Sequence, residues 1–346
     1  MPPLRVGVVG CGYWGPNLVR NFARHADVKV EAVCDRELKR AERTGAEYRV
    51  PTVTDQPRRL FEDRSLDLIV VATPTATHFD LTRAALDAGK HALVMKPLTS
   101  SSEQAEELAT LAVKRGVLLA VDHTFVFTGA VRKMKELVAS GALGELYYFD
   151  SVRVNLGLFQ SDINVIWDLA PHDISILDYL VGGEPEEIVA VGVAHGQSPT
   201  ENIAYITLKY PNSFLAHVHV NWLAPAKVRQ LILGGSRKML VYDDVQPSEK
   251  VKVYDKGVSF QNDGDGDPYK FMVSYRSGDM VAPQLDGKEA LAVEVDNIVK
   301  AICAKEPLVS DGAAGVRVVR LLEAAQRSIA EGGAPLRLAP LLGARM

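Results

Sequence analysis

Two short stretches of this sequence combine residue types that can move a proton at an alcohol carbon. Asp168-Leu169-Ala170-Pro171-His172-Asp173 places a carboxylate four residues before an imidazole. Pro171 reads as a helix start, with Ile174, Leu177, Leu180 and Val181 as an apolar stripe behind it. His172 then falls in the first helical turn, where the positive helix end disfavours imidazolium. Removing an alcohol proton requires a neutral imidazole. Asp168 can hold the other ring nitrogen and fix its tautomer. Spacing alone leaves a partly buried capping arrangement as an equal alternative. The second stretch, Met95-Lys96-Pro97, follows an apolar run. Pro97 holds Lys96 extended, and a Lys–Pro bond is one that can be cis. An ammonium there can stabilise an alkoxide as hydride leaves. An exposed turn lysine is the plainer reading.

A third cluster suits a dinucleotide. Gly10-Cys11-Gly12-Tyr13-Trp14-Gly15 directly follows a strand-like run, and Pro16 stands where a helix would begin. The glycines serve a tight turn, close backbone approach to a pyrophosphate and close helix–strand packing. The helix N-terminus then offers unpaired N–H groups to the phosphates. Asp35 ends the next strand, twenty residues beyond Gly15, where an acid accepts hydrogen bonds from ribose hydroxyls. Its charge repels a 2′-phosphate, so NAD is expected over NADP, although Arg36 pulls the other way. Thr73-Pro74-Thr75, with His78 beyond, follows a further buried run, where cofactor contacts belong.

These residues need a frame. Val6–Val9, Val28–Cys34, Leu68–Ala72, Ala92–Met95 and Val117–Val121 read as buried strands alternating with helices such as Ser101–Arg115, which Gly116 closes. That alternation predicts an α/β Rossmann domain with a parallel sheet over residues 1–122. Beyond His123 the pattern changes. After a helix near Val131–Ser140 come strand-like runs at Leu146–Val154, Glu187–Val193, Ile203–Tyr210, Phe214–Trp222, Val228–Leu233 and Met239–Asp243. Pro211-Asn212-Ser213 reads as a hairpin turn. Residues 123–346 are therefore expected to form an α+β domain with a large, mostly antiparallel open sheet, closed by helices near Ala290–Ala304 and Ala313–Glu331. Gly257–Asp267 reads as an exposed loop; it lacks the spacing and terminal glutamate of a calcium-binding EF-hand.

Composition narrows the partners. The net charge of −4 gives no electrostatic footprint for nucleic acid. No apolar run reaches membrane-spanning length and no signal peptide is read at the start, so a cytoplasmic enzyme is expected. Cys11, Cys34 and Cys303 are too scattered for a disulfide framework or zinc site. His217 and His219 share a strand face without a third ligand, and no metal is expected.

The stretches GCGYWGPN at 10–17, ATPTATH at 72–78, MKPL at 95–98 and DLAPHD at 168–173, in this order, resemble the glucose–fructose oxidoreductase/inositol dehydrogenase (Gfo/Idh/MocA) family. The resemblance covers nearly the whole chain. It implies a Rossmann domain followed by an open-sheet domain whose sheet joins subunits into a homodimer or homotetramer. In the family a lysine and a histidine flank the substrate carbinol, which assigns catalysis to Lys96, Asp168 and His172. Cofactor contacts carry over to Gly10, Gly12, Tyr13, Trp14, Gly15, Asp35, Arg36, Thr73, Pro74, Thr75, His78, Lys96 and Pro97. One departure is Met95, where the family usually has glutamate. The stretches RVNLGLFQ at 153–160 and WDLAPHD at 167–173 look like members that oxidise the 3-hydroxyl of UDP-N-acetylglucosamine or its uronate. Arg153, Asn155 and Asn164 then join Lys96, Asp168 and His172 as substrate contacts, with Lys227 or Arg229 near a diphosphate. Dehydrogenases of inositol or free sugars and deoxysugar 3-ketoreductases are the rival enzymes. A dinucleotide-binding sensor without turnover is the rival of another class.

Overall fold

The computed structural model describes residues 2–157, 163–262 and 271–340. Among them, six strands form a parallel sheet: β1 (Leu4–Val9), β2 (Val28–Cys34), β3 (Thr52–Thr54), β4 (Leu68–Val71), β5 (His91–Met95) and β6 (Leu119–Asp122). Their order is β3-β2-β1-β4-β5-β6, the doubly wound Rossmann arrangement. The strands are Val-, Leu- and Ile-rich because helices cover both faces. Those helices are α1 (Gly15–Arg24), α2 (Leu38–Tyr48), α3 (Arg58–Glu62), α4 (His78–Asp87) and α5 (Ser102–Arg115). Helix α5 starts where Ser101 accepts the Gln104 N–H and stops at left-handed Gly116. Strand order reverses between β1 and β4, so the loops leaving these two strands flank the crevice where such sheets bind ligands. Strand β3 was not expected. It is a three-residue edge strand with two threonines, too short for an apolar period to show.

The larger sheet follows α6 (Gly129–Ala139) and contains β7 (Leu146–Leu156). Helix α7 (Val165–Val181) comes next, then β8 (Glu187–Val193), β9 (Ile203–Lys209), β10 (Leu215–Asn221), β11 (Leu223–Gly235), β12 (Met239–Asp243) and β13 (Val251–Tyr254). A separate hairpin pairs β14 (Gly257–Asn262) with β15 (Phe271–Arg276). Residues 257–262, expected as loop, are thus a strand, while the expected loop from Asp263 to Asp267 lies outside the described residues. With β16 (Met280–Val281) and β17 (Leu336–Arg337), the described strands of the large sheet run β16-β13-β12-β11-β7-β10-β9-β8-β17. Only the β7–β10 pairing is parallel. The β9–β10 hairpin turns on Asn212 and Ser213, both in the left-handed region. Ala204, Ile206, Leu208, Ala216, Val218 and Val220 face the side that α7 covers, and all are buried.

The last helices are α8 (Ala290–Ala304) and α9 (Gly312–Ala330). The chain forms two compact units, Met1–Thr128 with Lys288–Glu323, and Gly129–Gly287 with Ala324–Met346. The single boundary drawn at 122/123 therefore differs from the folded units. Helix α8 returns to the first one, where Leu291, Val295, Ile298 and Val299 join the core of Val6, Val8, Leu18 and Leu93. Its apolar stripe told of burial, and not of which core it enters. No helix among the described residues is long and apolar enough to cross a membrane.

Candidate active site residues and their frame

The glycine loop is shaped as a phosphate cradle. Gly10 has φ +102°, and a Cβ there would meet the Ala72 carbonyl oxygen at 2.3 Å. A Cβ on Gly15 would meet the Gly10 carbonyl oxygen at 2.0 Å. Around Gly12 a Cβ would meet nothing within 4 Å, so this backbone is open to a ligand. Pro16 lies in the first turn of α1, and no side chain caps that turn and no acid sits in it. An uncapped helix start suits the charge of a pyrophosphate. Tyr13 and Trp14 stand exposed beside it, edge to face.

Asp35 lies at the adjoining strand end, almost buried. Its Oδ2 accepts the Cys11 N–H at 2.7 Å and its Oδ1 the Glu37 N–H at 2.8 Å. It therefore fixes the glycine loop, and each carboxylate oxygen keeps a lone pair for a ribose hydroxyl. Arg36 beside it is exposed. The residues present fit a nicotinamide dinucleotide.

On the other side of the switch point, Thr73 and Thr75 are half-buried and Pro74 is exposed. His78 was expected to touch cofactor, but it is buried, with ring nitrogens 2.8 Å from the Thr73 and Pro97 carbonyl oxygens. Burial lowers its pKa, the Thr73 and Pro97 carbonyls partly opposing this. A neutral ring donates to one of these carbonyls at a time. His78 thus links the Thr73 loop to the Lys96-Pro97 loop, and works as a brace. Lys96 is half-buried at the carboxyl end of β5, and its peptide bond to Pro97 is cis.

In the second unit α7 begins earlier than Pro171 suggests. Asn164 caps it, accepting the Ile166 and Trp167 N–H groups at 3.1 Å each. Pro171 sits inside the helix, where its missing N–H leaves the Trp167 carbonyl without the helical donor. His172 therefore lies beyond the second turn, and the expected influence of a positive helix end on its charge does not apply. Asp168 instead occupies the first turn, where a carboxylate is favoured. The i,i+4 spacing keeps Asp168 and His172 on one face, and both are half-buried. Trp222, fully buried just beyond β10, donates its indole N–H to Asp168 Oδ2 at 3.1 Å. Sequence reasoning missed this residue. Its signal was available: a tryptophan ending an apolar strand needs an acceptor for its N–H.

The remaining expected substrate contacts are engaged elsewhere. Arg153 is buried and pairs with Asp173, Nε to Oδ2 at 2.6 Å and Nη2 to Oδ1 at 3.1 Å. This fork joins β7 to α7 beside His172. Asn164, besides capping, donates to Glu201 at 2.8 Å and to Gln326. Asn155 donates to the neighbouring Leu156 carbonyl. Arg229 pairs with Asp244 at 3.3 Å, while Lys227 is exposed. His217 meets Thr207 at 3.0 Å, and Tyr205 stacks on His217 and His219, as ordinary sheet residues do.

The profile of an oxidoreductase family with an NAD-binding Rossmann fold, Gfo/Idh/MocA, matches residues 4–123, and the family's C-terminal domain matches residues 131–241. The chain belongs to the Gfo/Idh/MocA family. It is therefore an oxidoreductase whose first unit is an NAD-binding Rossmann fold. It is 32% identical to an uncharacterized oxidoreductase, YdgJ, of Escherichia coli, over 71% of this chain and 73% of that one. It is 28% identical to UDP-N-acetylglucosamine 3-dehydrogenase of Acidithiobacillus ferrooxidans, over 91% and 94% of the two chains. The solved structure of that enzyme superposes with a TM-score of 0.80, covering 95% of this chain and 98% of that one at 25% identity. Myo-inositol 2-dehydrogenase of Thermotoga maritima is 24% identical over 95% and 97% of the two chains.

Proposed function

We propose that this Gfo/Idh/MocA oxidoreductase moves a hydride between nicotinamide and the carbinol carbon of a sugar, at C3 of a nucleotide-activated sugar such as UDP-N-acetylglucosamine or its uronate. The observation that carries the chemistry is Asp168 and His172 on one face of α7, with Asp168 held by Trp222. NAD, when bound, supplies the hydride acceptor. His172 takes the hydroxyl proton, and Asp168 orients the imidazole. Lys96 stabilises the developing alkoxide with its ammonium charge. The glycine loop and uncapped start of α1 hold the pyrophosphate, and Asp35 the adenosine ribose. The same groups work in reverse on a keto sugar.

The near full-length similarity to UDP-N-acetylglucosamine 3-dehydrogenase favours a nucleotide sugar. The match over 95% of the chain to myo-inositol 2-dehydrogenase supports the second reading, a free polyol. Turnover against a panel of nucleotide sugars, free sugars and inositols decides between them. Higher kcat/KM for inositol than for any UDP-sugar would replace the first reading with the second. We further propose that the open face of the large sheet joins copies of the chain into a dimer or tetramer, inside the cytoplasm.

Lys96→Ala and His172→Ala are each expected to cut kcat by about a hundredfold or more, the scale of a lost acid–base or charge-stabilising group. NAD affinity should stay within a few-fold of the parent. A variant that loses NAD binding and keeps kcat would remove that residue from its assigned role.

A further inference from the structure

Two buried acids in the first unit have no part in the roles above. Asp122 ends β6 in register with Met95 of β5, the residue before Lys96. Glu294 comes from α8, which packs on the short turn Thr124–Phe127 after β6. Each is 1% exposed. Thr124 Oγ1 donates to Asp122 Oδ1. Among the described residues, no N–H or O–H reaches Asp122 Oδ2 or either oxygen of Glu294. The two carboxyl groups nevertheless lie within hydrogen-bonding reach of each other. Two carboxyl oxygens join only through a proton, because an ionised carboxylate has nothing to donate.

His123 does not neutralise the pair. His123, also buried, faces Ser310 Oγ through Nδ1 at 2.9 Å, while that hydroxyl donates to the Val121 carbonyl at 2.7 Å. Ser310 has thus used its proton, so His123 carries its hydrogen on Nδ1. Burial, with the charges of Lys96 and Arg317, pushes its pKa down to about 3, and the ring stays neutral. Lys96 at the end of β5 and Thr124 after β6 act on Asp122, while Lys96 and Arg317 on α9 act on His123. Burial raises both acids, and the Asp122 charge raises Glu294 further. The Lys96 ammonium, in contrast, favours the Asp122 carboxylate.

We propose that Asp122 and Glu294 hold one proton between them, Glu294 donating it to Asp122, and that the single negative charge left on Asp122 positions Lys96. Glu294 keeps that charge in place without adding a second. Asp122 and Glu294 are positioning residues, and their part in turnover rests on the reading of Lys96 given above.

Infrared spectroscopy of the whole enzyme tests the shared proton without turnover. A protonated-carboxyl stretch is expected at neutral pH, present in the parent and absent in Glu294→Gln. No such band, or a band that Glu294→Gln leaves intact, would overturn the pairing. Kinetics test the positioning. Asp122→Asn removes the charge beside Lys96, so the alkaline limb of kcat moves to lower pH by about one unit. Glu294→Gln, which keeps a donor to Asp122, leaves that limb in place. An unmoved limb in Asp122→Asn, or an equal shift in Glu294→Gln, would overturn the positioning role. Asp122→Glu retains the charge and is expected to retain the limb, which serves if Asp122→Asn does not fold; a limb shifted in Asp122→Glu would count against the role. Should Lys96→Ala keep full turnover, the catalytic reading fails while the infrared band remains.

Discussion

At the scale of single residues, Asp35 fastens the glycine loop through the Cys11 N–H, and we propose that the same carboxylate holds the adenosine ribose. Asp35→Ala is expected to weaken NAD binding by about ten- to a hundredfold, the worth of charged hydrogen bonds, and NADP binding by less. Fluorescence titration with both dinucleotides checks this; an unchanged preference would remove the ribose assignment. Glu294 makes a prediction in pH. Its folded pKa is raised well above 4.5. The folded chain therefore keeps a proton that the unfolded chain releases. Its share of stability is complete below the ordinary carboxyl range and is lost as pH rises towards the raised value. Thermal melting across that range should show a smaller decline in Glu294→Gln than in the parent; parallel curves would contradict it. Lys96 and His172 stand out in the sequence because each lies beside a proline, and Asp168 because it precedes His172 by four residues; their roles are those proposed above. Trp222, Asp122 and Glu294 do not. Their meaning comes from partners far away in the chain, which spacing does not encode.

At the scale of elements, the join between β7 and α7 carries the histidine. Removing one partner of the buried Arg153–Asp173 fork leaves a charge without its counter-ion. Asp173→Ala should cost about 3–5 kcal/mol of stability. The double variant R153M/D173L should cost clearly less, because no charge is stranded. Urea unfolding of both tests this, and a double variant as unstable as the single one would contradict it. Most element types were legible from the sequence, although residues 257–262, expected as loop, are a strand. Strands β2, β8 and β12 have the expected ends, because Val- and Ile-rich runs stop at turn residues. The start of α7 was misread because proline suits a first helical turn, while the Asn164 cap draws its support from Glu201 and Gln326. Strand β3 was invisible because its pairing to β2 fixes it more than its own residues do.

At the scale of the whole molecule, the large sheet has one face under α7 and another that exposes Val191, Val193, Tyr205 and Leu215. We propose that copies of the chain associate through this apolar face. Val193→Asp with Tyr205→Asp should turn the assembly into monomers in sedimentation velocity; a parent that already sediments as a monomer would remove the proposal. The return of α8 to the first unit was hidden from the sequence, because hydrophobic periodicity reports that a face is buried and not against what.

The central claim is that Lys96 and His172 act on a sugar carbinol beside NAD. Its most direct measurement is the rate of NADH formation in a single turnover with UDP-N-acetylglucosamine or its uronate. The parent should form NADH, and Lys96→Ala and His172→Ala should each do so about a hundredfold more slowly with NAD still bound. No NADH from any sugar or inositol in the parent, or parental rates in both variants, would contradict it.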